Sequence, residues 1–207
     1  RLNEGRSSTK PVLIESLMAA DACLVLLPCW GLTDAPLTLS TLASHLRGRG
    51  LSAKAFDFNV QLYHLLSEER RWWDIGFGLD VWERPSFVER FWTENLPVLD
   101  SLLDDVLAEE PRWAGFSMFV SNRGLTERFA ARLKERDPGV KVVFGCPEVG
   151  YIQDLAGYAA AHPFVDHFVV GEGEELLVRL ARGEVSDRIL VNETRVRDLD
   201  SLPDQDF

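Results

Sequence analysis

With 207 residues, 46% of them hydrophobic and 27% charged, the chain is long enough to bury one substantial core and has the balance of an ordinary globular domain. A formal net charge of −11 leaves no basic footprint for the phosphates of nucleic acid and none for an anionic membrane surface. No apolar run approaches the length that spans a bilayer, and Arg1–Lys10 lacks the apolar centre of a signal peptide.

Three cysteines, Cys23, Cys29 and Cys146, cannot all pair and form no CxxC cluster. They predict a reducing, cytoplasmic setting and no iron–sulfur or zinc site of the chain's own. Because the sequence opens on Arg1 rather than Met, we read it as part of a longer protein.

Residues 1–20 read as a polar tail with a short helix over Pro11–Ala20. Ala22–Pro28 is a continuous apolar run ended by proline, which suits a strand buried on both faces of a parallel sheet. Leu37–Arg49 then puts Leu39, Leu42, Ala43 and Leu46 on one helical face, and Gly50 supplies the stop. Ser52–Phe58 is the second strand. Residues 61–110, rich in tryptophan, phenylalanine and acids, read as a helical insertion whose longest helix runs from about Ser86 to Glu109.

The alternation resumes with strands at Trp113–Phe119, Val140–Phe144 and Val165–Val170. Helices at Arg123–Asp137 and Ile152–Ala161 separate them, and a last helix runs from Gly171 to about Arg182. The chain therefore predicts an α/β fold over 21–182, a doubly wound five-stranded parallel sheet with helices on both faces. Residues 183–207 are polar and read as a linker.

Open parallel sheets bind ligands at the carboxyl ends of their strands. The candidates there are Pro28, Cys29, Trp30, Gly31 and Leu32 after strand one, and Ser117, Phe119, Ser121 and Asn122 after strand three. Gly145, Cys146 and Pro147 follow strand four, and Gly171, Glu172 and Gly173 follow strand five. Glycine at a strand end lets backbone approach a bulky ligand, and it serves ordinary turns equally well.

No GxGxxG or Walker loop follows strand one, and no Gly-x-Ser-x-Gly elbow or catalytic pairing is present. Glu172, Glu174 and Glu175 crowd the start of the last helix with negative charge, so they cap its dipole in preference to a bound anion. His45 reads as a surface residue, and His64, His162 and His167 are too scattered for a metal site. Cys29 and Cys146 read as small buried hydrophobes. Asp57 and Asn59 end strand two, either solvated or touching a ligand tail.

Three stretches together carry a likeness. The first runs from Leu24-Val-Leu-Leu-Pro28 through Pro36–Arg47 and Gly50 to Phe56-Asp-Phe-Asn59. The second is Gly115–Asn122 with Leu133–Gly145 and Pro147. The third is Val165–Glu175, followed by Asp198-Leu-Asp-Ser-Leu-Pro203. In order and spacing the chain resembles the amino-terminal cobalamin-binding domain of B12-dependent radical SAM enzymes.

That resemblance implies a Rossmann-like B12-binding fold with cobalamin, as methylcobalamin, for cofactor. It implies a downstream radical SAM domain of the same chain, which would hold S-adenosylmethionine and a [4Fe-4S] cluster, and a small-molecule or peptide substrate. The parent would be a methyltransferase acting on an unreactive carbon, with this module non-catalytic alone. Ser117 matches the serine that the B12 fold places near the cofactor's nucleotide tail. Trp30 either lies under the corrin or packs on the tryptophan-rich insertion.

Two departures stand out. Cys29-Trp-Gly-Leu-Thr33 replaces the Asp-x-His-x-x-Gly loop of the wider fold, so no histidine there can ligate cobalt. Cys146 stands where a second glycine is usual. They support a competing reading, a cofactor-free domain for substrate recognition or interaction in a radical SAM protein. The two readings part on whether Trp30, Phe119 or Cys146 fills the space above the strand ends. A stand-alone α/β enzyme is the third possibility.

Overall fold

The structure is a computed structural model that describes residues 19–33, 35–74 and 79–192. Most of the helix expected over Pro11–Ala20 and most of the expected linker lie outside the described residues.

β1 (Ala22–Leu26) is buried along its whole length because its alternate side chains enter the cores on the two faces of the sheet. α1 (Leu37–Gly48), β2 (Ala53–Asp57) and α2 (Phe58–Leu65) follow it. A 3-10 segment (Ser67–Trp73), α3 (Leu79–Trp82), α4 (Pro85–Glu94) and α5 (Leu96–Leu107) make up the insertion. Then come β3 (Trp113–Ser117), α6 (Arg123–Arg136), β4 (Lys141–Gly145), α7 (Pro147–Tyr151) and α8 (Leu155–Ala161). β5 (His167–Val170), α9 (Glu174–Ala181) and β6 (Ile189–Val191) complete the order.

All strand pairs are parallel, in the order β2-β1-β3-β4-β5-β6. Strand order reverses between β1 and β3, which makes the sheet doubly wound and creates a crevice there. No helix among the described residues is long and apolar enough to cross a membrane.

Period-two alternation divides the strands between two helical layers. Cys23, Val25, Ala114, Phe116, Val142 and Phe144 face the larger core, which contains the insertion, α6 and α8. Leu24, Leu26, Val143 and Val169 face α1 and α9. The insertion seals the first face with an aromatic knot, in which Trp82 meets Trp73 at 5.1 Å and Phe91 at 4.8 Å, edge to face. Such pairs add about 0.5–1.5 kcal/mol beyond the area they bury.

Four sequence expectations are corrected. Among the described residues the sheet has six strands rather than five, because Ile189–Val191, within the segment read as linker, pairs with β5. The single helix expected over 86–109 is two, broken at Asn95, whose side-chain amide donates to the Phe91 carbonyl at 2.9 Å and closes α4. Pro97 has no N–H to continue the ladder across that break. The helix expected from Ile152 begins at Leu155, where the Asp154 carboxylate accepts from Gly157 N–H at 2.9 Å. His45 is buried, at 7% exposure, because α9 covers its face of α1 and brings Glu175 within 3.6 Å.

Candidate functional site

The α1–α9 side of the sheet is hollow at its carboxyl end. Gly115 and Ser117 alternate along β3, and register sets Gly115 beside Val143 and Ser117 beside Gly145. These small residues leave a cavity of about 540 Å³. Leu24, Val143 and Val169 complete the floor, and α1 gives one wall through Thr38, Thr41 and Leu42. Leu177 and Glu174 of α9 give the other. Exposed Leu37 and Tyr151 also line it.

Seven of the residues expected at a ligand site line this cavity: Ser117, Gly145, Cys146, Pro147, Gly171, Glu172 and Gly173. Cys146 opens α7 at φ +75° and ψ +175°, a conformation nearly confined to glycine. Burial raises its thiol pKa, a hydrogen bond with Ser117 opposes that, and the charge of Glu174 adds to it.

The other eight do not line it. Pro28 and Cys29 are buried residues of the loop after β1, and burial pushes the Cys29 thiol up to about 12. Trp30, 37% exposed, stacks on Phe119 with ring centroids 4.2 Å apart. Gly31 and Leu32 are exposed. The Ser121 hydroxyl donates to the Cys29 carbonyl at 2.7 Å. The Asn122 amide donates to Leu27 and Ser117 carbonyls at 3.1 and 3.0 Å. The polar atoms of Ser121 and Asn122 thus brace one loop against the other.

Asn59, fully buried, locks the loop after β1 from the far side. Its carbonyl accepts from Trp30 N–H at 3.0 Å and from Trp73 Nε1 at 2.8 Å, and its amide donates back to Trp30 O at 3.2 Å. Asp57 caps α2 by accepting from Val60 N–H at 3.1 Å, and burial raises its pKa. Both residues are structural in this geometry, with neither on the cavity wall.

The walls that sequence reasoning missed come from α1 and α9. Their signal was two small residues spaced by two on strand three, Gly115 and Ser117, which mark a floor with nothing standing on it. Trp30 and Phe119 stack on each other above the ends of β1 and β3, the space on which the two readings part, and leave the separate cavity, one wall of which Cys146 lines, unfilled.

The fold is an open, doubly wound α/β domain with a largely apolar cavity at the carboxyl ends of β3, β4 and β5. No protein-family profile and no curated protein matches the sequence. Among solved structures the chain is similar to TsrM, a radical S-adenosylmethionine methyltransferase from Kitasatospora setae determined with tryptophan substrate and a SAM analogue. The identity is 16% and the TM-score 0.45, over 79% of this chain and 26% of that one.

Proposed function

We propose that this chain is the cobalamin-binding module of a B12-dependent radical SAM enzyme, a methyltransferase acting on an unreactive carbon. The observation that carries the reading is the 540 Å³ cavity between α1, α9 and the strand ends. Its floor of Gly115, Ser117 and Gly145 suits an apolar cofactor tail inserted edge-on. The sequence resemblance supplies the cofactor's identity, and Ser117, which that resemblance assigns to the nucleotide tail, lines the cavity.

When bound, methylcobalamin would supply the methyl group for transfer. The chain's own residues bind and shield. Leu42, Leu177 and Val169 exclude water from the buried end, and Ser117 offers a hydroxyl there. The Trp30–Phe119 stack offers a flat apolar surface over the ends of β1 and β3. S-adenosylmethionine and the [4Fe-4S] cluster belong to a downstream domain of the same chain, which also takes the small-molecule or peptide substrate in the cytoplasm.

Titration with hydroxocobalamin tests the reading through the visible spectrum and the melting temperature. The spectrum should shift, and cofactor at about 100 times Kd should add about 2.7 kcal/mol of stability. A flat titration to roughly 100 µM, which misses only binding weaker than about −5.5 kcal/mol, selects the cofactor-free interaction domain instead. The internally spent polar atoms of Ser121 and Asn122 favour that second reading.

A further inference from the structure

We propose that Tyr151 and Leu37 grip the corrin macrocycle at the mouth of the cavity, as contact residues for the part of the cofactor that stays outside it. The inference rests on the cobalamin reading and names the side chains that meet the ring.

Both residues line the cavity, yet Tyr151 is 78% and Leu37 60% exposed. Side chains that are wall and surface at once mark where the cavity meets solvent. Tyr151 is the most exposed large apolar side chain among the described residues, and the helix that carries it is pinned. Val149 of α7 is fully buried in the larger core, and buried Glu148 pairs with Arg123 at 2.7 Å. With those two turned into the protein, Pro147, Gly150 and Tyr151 line the cavity. Leu37 opens α1, and Thr38, Thr41 and Leu42 carry that wall inward.

The cavity's size decides what these side chains touch. Its 540 Å³ suits a drug-sized group, and a whole corrinoid is larger. The tail can enter, which leaves the macrocycle at the mouth beside Tyr151 and Leu37. A broad, largely apolar ring face suits an aromatic ring and a branched aliphatic chain, and contact removes apolar surface of both partners from water. Single exposed apolar side chains are ordinary. Two of them, on separate helices and at one opening, point to a ligand.

The test compares the 207-residue chain with Tyr151→Ala, Tyr151→Phe, Leu37→Ala and Leu65→Ala. Leu65 ends α2, is as exposed as Leu37 and does not line the cavity, so it is the matched control. Each protein is titrated with hydroxocobalamin and with cobinamide, which keeps the macrocycle and lacks the nucleotide. Visible absorption reads binding, and melting of the ligand-free proteins is recorded alongside. Tyr151→Ala should weaken binding of both corrinoids about tenfold and Leu37→Ala about threefold. Tyr151→Phe keeps the ring and should keep the affinity, and Leu65→Ala should change nothing. Side chains this exposed should leave ligand-free melting unaltered.

Similar penalties with the two corrinoids, at constant ligand-free melting, support the proposal. A penalty confined to hydroxocobalamin, or a parent chain that binds hydroxocobalamin and not cobinamide, overturns it and leaves the cobalamin reading standing. So does unchanged affinity in Tyr151→Ala, an equal loss in Leu65→Ala, or a loss matched by a lower ligand-free melting temperature. A parent chain that binds neither corrinoid overturns both.

Discussion

Trp30 lies stacked on Phe119, ring centroids 4.2 Å apart and planes 29° from parallel. Two loops that follow different strands are thereby closed against each other above the sheet's switch point. Phe119→Ala should cost about 1 kcal/mol through the lost ring pair and lower the melting temperature by about 2–4 °C. Phe119→Tyr should keep both, as thermal denaturation will show.

Gly145 and Gly171 should separate binding from folding. A Cβ on Gly145 would meet Val169 Cβ at 3.9 Å, an ordinary contact, on the cavity floor. Gly145→Ala should leave stability unchanged or raise it by about 0.4–1 kcal/mol, while weakening cobalamin binding about tenfold. Gly171 sits at φ +91°, where a Cβ would come within 2.6 Å of the Asn192 carbonyl oxygen. Gly171→Ala should lose about 1–3 kcal/mol. Urea melts and cobalamin titrations of both variants check the contrast.

Cys146→Gly should stabilise the chain. Relief of the left-handed backbone is worth about 1–3 kcal/mol and the added freedom of glycine costs about 0.5–1, for a net gain of about 1 kcal/mol. Cys146→Ala keeps the strained backbone and should show no such gain. Chemical denaturation of the pair assigns the effect to backbone rather than thiol.

Asp166 links the starts of β4 and β5. Burial alone would raise its pKa. Hydrogen bonds from Lys134 Nζ at 2.8 Å, Val142 N–H at 2.9 Å and Lys141 Nζ at 3.1 Å outweigh burial and hold it below the ordinary value. A carboxyl depressed in the folded state adds stability above its unfolded pKa, and loses it as pH falls through the folded one. Asp166→Asn should therefore cost about 1.5–3 kcal/mol at neutral pH. The deficit should shrink below about pH 4 in melts run across the acid range.

Cob(II)alamin bound to this chain should show no axial imidazole. Among the described residues no histidine lines the cavity or the loop after β1. The Cys29 thiol, pushed up to about 12 by burial, stays protonated at neutral pH and is a poor ligand. With the cofactor's benzimidazole detached from cobalt and no protein imidazole in its place, electron paramagnetic resonance should lack axial nitrogen splitting, and Cys29→Ala should leave the spectrum unchanged. A splitting from imidazole would overturn this.

The alternation of apolar runs and amphipathic segments made β1 through β5 legible, because a parallel strand buried on both faces needs a continuous apolar stretch. β6 escaped because Ile189–Val191 is only three residues, too few to show a period. His45 was misread for a different reason. Its sequence neighbours are polar, and what buries it is α9, more than a hundred residues further along the chain. The strand-end glycines pointed to the end of the sheet at which the cavity lies. Which face was hollow depended on side-chain volumes in strands that pair only in three dimensions, and loop residues such as Ser121 looked equally available until their partners were known.

The sheet's outer strands also govern how copies of the chain meet. Among the described residues β6 offers three residues of unpaired edge, too short a template for a second chain to extend. At the opposite edge β2 carries Lys54, tied to Glu109 and set over the Phe56 ring. A lysine on an edge resists strand addition, because docking would strip its charge of water. Among the described residues both margins of the parallel sheet are thus blunted, which disfavours edge-to-edge pairing between copies.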